Sequence, residues 1–95
     1  MNQEAQEFFS RLKEEIEKSV TKWPAEYLYK FIVPNKKKNI DTMNKIFDCT
    51  GAVIQTKLSK SGTYTSFSIS VSMPNANEII KKYQEVSVIE GIVSL

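Results

Sequence analysis

Residues 65–73 alternate without a slip: Ser66, Ser68, Ser70 and Ser72 hold one parity, and Phe67, Ile69 and Val71 hold the other. A period of two belongs to a β-strand with one buried face, so the apolar set marks the core and the serines mark its reverse. Exposed strand positions ordinarily carry threonine, lysine, glutamate or an aromatic. Four serines instead leave a strip of small hydroxyls against which something can lie closely.

The rest of the chain supplies a sheet for this strand. Residues 3–22 carry Phe9, Leu12, Ile16 and Val20 at three- and four-residue steps, with Phe8 alongside, which predicts an amphipathic helix closed by Trp23-Pro24. Tyr27, Leu28, Tyr29, Phe31, Ile32 and Val33 predict a first strand ending at Pro34. Ile40, Met43, Ile46 and Phe47 mark a helix with Cys49 in its last turn and Gly51 just past its end. Ile54, Thr56 and Leu58 share one side of an alternating segment. The Ser61-Gly62 turn then joins it to the serine strand as an antiparallel hairpin. Pro74 ends that strand, and Asn75 with Glu78 predicts an N-cap and a reciprocal capping pair for a helix buried through Ile79, Ile80, Tyr83 and Val86. Residues 88–95 are expected to close the chain as a strand with Ile89, Gly91, Val93 and Leu95 on one parity.

In order, this is a helix followed by β-α-β-β-α-β. The expected architecture is an α+β, ferredoxin-like plait of four antiparallel strands with two helices on one face. Residues 24–95 form that domain and residues 1–23 an appended amphipathic helix. The plait leaves one sheet face open, the serines belong on it, and the N-terminal helix is the expected cover, in its own chain or in a homodimer.

Composition narrows the chemistry. The 95-residue chain, 41% hydrophobic and 25% charged, has the length of one domain, and its net charge of +2 is too small to point to nucleic acid or a membrane surface. It contains no histidine, which excludes Ser-His-Asp, Cys-His and histidine–metal sites. The single cysteine, Cys49, cannot form an internal disulfide and reads as a buried small hydrophobe, not a nucleophile. Asp41, Asp48, Glu85 and Glu90 lack the clustering that a metal or paired acid–base catalysis needs. The expectation is a cytoplasmic, non-enzymatic protein with no cofactor, no metal and no membrane segment.

The segment Ser59-Lys60-Ser61-Gly62-Thr63-Tyr64-Thr65-Ser66-Phe67-Ser68-Ile69 resembles the strand-turn-strand signature of the YbeD-like bacterial family, domain of unknown function 493. Tyr29-Lys30 and the helix of residues 79–83 running into a short last strand match as well, so the resemblance covers residues 24–95 and leaves the N-terminal helix outside. It implies a fold similar to ACT-type regulatory domains, which bind amino acids or pair sheets in oligomers, and hence a non-catalytic role. The chain departs from the family in its N-terminal extension and in Lys36-Lys37-Lys38, where a less basic, proline-containing start is more usual.

Candidate contact residues follow from the sheet face: Ser66, Ser68 and Ser70, with Tyr64 at the strand's start and Lys30 from the first strand. Their expected partner is a small molecule or a protein, including a second copy bound through the sheet face or the N-terminal helix. Lys36, Lys37 and Lys38 oppose the dipole of their helix, so either the helix starts nearer Asn39 or the lysines meet an anion, and with Lys30 and Lys60 they sketch a basic rim. Weak RNA binding is the alternative and would use these lysines with an outward Tyr27 or Tyr29. Serines stand where stacking aromatics are needed, so nucleic acid is the less favoured partner.

Overall fold

Segments with a period of two become strands and segments with a period near 3.6 become helices. The computed structural model describes residues 3–95 in the order α1 Gln3–Ser19, β1 Ala25–Pro34, α2 Lys37–Ile46, β2 Val53–Leu58, β3 Tyr64–Met73, α3 Ala76–Val86 and β4 Val93–Ser94. The first two residues of the 1–23 segment lie outside the described residues. The described residues form a small α+β domain with a four-stranded antiparallel sheet and three helices.

The sheet runs β2-β3-β1-β4. β1 pairs with β3 along its whole length, from Ala25 opposite Met73 to Pro34 opposite Tyr64, and β2 flanks β3 from Val53 opposite Ser70 to Leu58 opposite Thr65. Because directly opposed residues share a face, this register settles the parity of β1. Tyr29, Phe31 and Val33 join Phe67, Ile69 and Val71 in the core. Met43 of α2 and Phe47 at its C-cap, Ile79, Ile80 and Val86 of α3, and Ile16 of α1 close over them.

Aromatic rings fill the middle of this layer. Tyr29 lies 4.8 Å from Tyr27, 5.0 Å from Tyr83 and 5.3 Å from Phe47, centroid to centroid. The buried Tyr29 hydroxyl donates to the Ile79 carbonyl at 2.9 Å, and Tyr27 and Tyr83 share a hydroxyl–hydroxyl hydrogen bond of 2.8 Å. Burial pushes the Tyr29 and Tyr83 phenols well above their ordinary pKa of 10.0, with neighbouring Tyr83 and Tyr27 respectively adding to the effect. Tyr27 and Tyr29 therefore face inward, which removes the outward tyrosine of the RNA alternative.

Several elements differ from expectation for identifiable reasons. α1 does not cover the serine face. Its stripe packs against α3 on the helix layer, where Phe9 meets the surroundings of Ile80 and Tyr83, and Leu12 and Ile16 approach Tyr27. That side offers apolar surface and the serines offer little, so burial decides the destination. α1 also stops at Ser19, with the Val20 amide donating to Ile16, four residues short of Trp23. Residues 88–92 turn instead of extending. Ile89 plugs the core while Val88 stays exposed, and Gly91, at φ +81° with Pro34 against it, redirects the chain into a two-residue β4. Val93 and Leu95 thus lie on the opposite side from Ile89, contrary to a shared parity. Cys49 falls beyond α2 in a turn at φ +60° and is exposed, not buried, because the helix ends at Ile46. The hairpin matches expectation: Gly62 sits at φ +75° and its amide donates to Ser59. At α3, Asn75 Oδ1 accepts from the Glu78 amide at 2.9 Å, the N-cap half of the expected pair.

Candidate functional site on the open sheet face

With all three helices packed on the Tyr29–Phe67 side, the reverse of the sheet has no covering layer among the described residues. β3 runs down its middle. Ser66 lies between Ile32 and Lys57, Ser68 between Lys30 and Gln55, and Ser70 between Leu28 and Val53. Small side chains therefore floor the centre, and longer ones stand along both sides. Ser66, Ser68 and Ser70 are half-buried by those neighbours, whereas Ser72 at the far end is exposed.

The face has a polar middle and an apolar margin. Lys30, Lys57 and Gln55 surround Ser66 and Ser68, supplying cationic donors and an amide beside hydroxyls that both donate and accept. Ser70 donates to the Glu26 carboxylate, which fixes that end as an acceptor-bearing corner. Leu28, Val53, Val93 and Leu95 are each more than half exposed around the edge, and Tyr64 is 46% exposed at the Pro34 end. Chemically, the surface can hydrogen-bond a polar or anionic group at its centre and bury modest apolar area at its rim. Among the described residues no group of three or more cysteine, aspartate or glutamate side chains is placed to hold a metal ion.

A family described as "Protein of unknown function (DUF493)" matches residues 18–95. The chain belongs to that family. The match begins at Lys18, inside the last turn of α1, so nearly all of that helix lies outside the DUF493 region. Among solved structures, the solution structure of protein HP0495 from H. pylori is similar in fold. It is 22% identical with a TM-score of 0.65, covering 78% of this chain and 84% of that one. No curated protein matches the chain.

Within this DUF493 chain the structure brings together Lys30, Tyr64, Ser66, Ser68 and Ser70, all on one face. It separates them from Lys36, Lys37 and Lys38. Those lysines lie at the exposed start of α2, with Lys36 as an N-cap that makes no side-chain bond, so the helix begins among the lysines and not nearer Asn39. Asn35 binds the hairpin turn through Thr63 and Gly62, which places this cluster by the Lys60 turn. Lys30 is four strand residues below Pro34, about 13 Å away, so the basic rim divides into two separate groups.

Residues that sequence reasoning did not assign to the face are Gln55 and Lys57, Leu28 and Ile32, and Val93 with Leu95. Alternation in β2 already implied the first pair once Ile54, Thr56 and Leu58 were set on the other side. A second concavity of about 150 Å³ lies beneath α1, lined by Phe8, Phe9, Phe31, Tyr83, Val86 and Ile92 among others. It is apolar and has no converging charged groups. No helix among the described residues is long and apolar enough to cross a membrane.

Proposed function

We propose that this chain is a non-catalytic binding module of regulatory type, working in the cytoplasm through the open face of its sheet. One observation carries the reading: the register sets Lys30, Tyr64, Ser66, Ser68 and Ser70 on the side that none of the three helices covers. A sheet face left bare in so small a domain is available surface, and its centre offers hydroxyls, an amide and two ammonium groups, with no carboxylate paired beside Ser66 or Ser68 to activate a hydroxyl. The ligand class it suits is a small polar molecule with a carboxylate or phosphate, or a polypeptide segment laid across the serines.

The strand order β2-β3-β1-β4, with α2 and α3 as crossovers on the same side, supports a ferredoxin-like assignment. ACT-type domains share that arrangement and act by binding small molecules or by pairing sheets, which agrees with the proposal by analogy. Nucleic acid is disfavoured because Tyr27 and Tyr29 lie within the helix-covered layer, leaving Tyr64 as the tyrosine on the face.

Amide chemical-shift mapping with a panel of amino acids, nucleotides and a short oligonucleotide tests the proposal. Saturable shifts centred on Lys30, Ser66, Ser68 and Ser70 are expected with at least one small anion. A face that stays silent across the panel and toward interacting peptides would remove it. Oligonucleotide binding that weakens steeply with salt would favour the RNA alternative.

A further inference from the structure

The two edges of the sheet differ. β4 contributes two residues and offers almost nothing to pair with, whereas β2 is a six-residue edge with an unbroken register to β3 from Val53 to Leu58. Protected edges carry a proline, a bulge, a charge pointing toward the core layer, or lysines. β2 has no proline, no break in register and no inward charge; its single charge, Lys57, stands opposite Ser66 on the open face. Its helix-side residues are Ile54, Thr56 and Leu58, and Leu58 is 57% exposed.

The backbone of this edge has a definite phase. The Ser59 amide donates to the Tyr64 carbonyl, so Ser59 turns its backbone groups toward β3. In an antiparallel ladder that direction alternates, which sends Val53, Gln55 and Lys57 toward β3 and leaves the N–H and C=O of Ile54, Thr56 and Leu58 pointing outward. A second copy related by a two-fold axis perpendicular to the sheet can meet this edge in one register that uses all three. Thr56 then faces Thr56 of the second copy, and Ile54 faces Leu58. Each of the three facing pairs exchanges two hydrogen bonds, about six across the junction.

The side chains agree with that register. Ile54 and Leu58 pair on the helix side and extend the apolar layer across the junction, with Thr56 against Thr56 between them. On the open face Lys57 lies opposite Gln55, and Val53 opposite Ser59, so no like charges meet directly. An isologous contact requires residue i to suit j and j to suit i, and residues 54–58 meet that condition about Thr56.

We propose that β2 is a self-pairing edge: two copies join through it, antiparallel and centred on Thr56, into one eight-stranded sheet with all the helices on one side and both serine rows on the other. The junction involves few residues, so the dimer is weak and concentration-dependent. The proposal does not rest on ligand binding at the open face, and either can fail alone.

Sedimentation of the full chain from about 10 µM to about 1 mM should show a monomer–dimer equilibrium. Thr56→Lys sets two ammonium groups face to face at the axis and should raise the dissociation constant at least about tenfold. In a Cys49→Ser background, Thr56→Cys should oxidise to a covalent dimer, since facing hydrogen-bonded pairs hold their Cα atoms about 5.5 Å apart. Ser72→Cys in the same background should not. A chain that stays monomeric throughout, or a dimer whose affinity Thr56→Lys leaves unchanged, would overturn the proposal. If Thr56→Lys fails to fold, the cysteine pair decides: cross-linking no faster at Thr56 than at Ser72 rejects the edge.

Discussion

Tyr29 shows how one side chain serves both packing and polarity. Its ring is fully buried at the centre of the aromatic cluster, and its hydroxyl reaches past that cluster to the Ile79 carbonyl of α3. Tyr29→Phe keeps the ring and leaves that carbonyl without its side-chain donor, a loss expected to cost about 1 kcal/mol in chemical denaturation. Titration offers a second check. Burial raises the folded-state pKa above the unfolded 10.0, so the folded protein binds more protons once the unfolded chain begins to ionise. Stability from Tyr29 is therefore fully present below pH 10 and falls above it by about 1.4 kcal/mol per pH unit. Comparing alkaline stability curves of the native chain and Tyr29→Phe isolates this slope from that of the lysines. An unchanged slope would mean that Tyr29 ionises freely in the folded state. Gly91 is constrained differently: at φ +81° a new Cβ would sit 2.9 Å from Pro34 Cγ. Gly91→Ala should cost at least about 1 kcal/mol and loosen β4, visible as faster exchange of the Leu95 amide bonded to Lys30.

α2 is an element stabilised at one end and opposed at the other. Lys82 reaches from α3 to donate to the Ile46 carbonyl at 2.6 Å, lies over the Phe47 ring and pairs with Glu85, so a cation caps the negative end of the helix. The positive end carries Lys36, Lys37 and Lys38 with no acidic residue in the first turn. Lys37→Glu should therefore stabilise the fold by a few tenths of a kcal/mol, read as a higher melting temperature at low salt that fades as salt is added. Elements were legible in the sequence wherever their periodicity was clean. β3 alternates serine with apolar residues, and α3 combines an Asn75 cap with a regular stripe, so both emerge from local pattern. β1 did not yield its parity because Leu28 and Ile32 are apolar on the open side as well, which makes the strand read as a continuous apolar run. The last strand was over-extended because Ile89 and Val88 favour strands by composition, whereas a buried plug and a glycine turn depend on tertiary neighbours that local sequence does not display.

At the scale of the molecule, α1 is the element whose placement has the largest effect. An amphipathic stripe announces that a helix needs an apolar surface but not which one, and so its seat against α3 was not legible. Ile16 is buried in the common core, and Phe9, Leu12 and Val20 pack against that core in part. Deleting residues 1–22 uncovers the Tyr27, Ile80 and Tyr83 region and should lower the melting temperature or drive association, because each fully buried large aliphatic contributes about 1.5–3 kcal/mol. A truncated chain as stable, soluble and dispersed as the full one would contradict this packing. The candidate site was half legible: the serines, Tyr64 and Lys30 came from sequence and β2 alternation implied Gln55 and Lys57, while Leu28, Ile32, Val93 and Leu95 required the strand register.

β3 is an interior strand, bonded to β1 on one side and to β2 on the other. Its amides should be among the slowest in the molecule to exchange with solvent, opening only when the whole sheet does. A ligand that settled on Ser66 and Ser68 would thus meet a floor unable to rearrange around it, and the adaptable parts would be the side chains of Lys30, Gln55 and Lys57. Binding there would order a few long side chains instead of folding a loop. Its signature would be a modest entropic cost with little change in backbone protection, which separates such a surface from sites built on mobile loops.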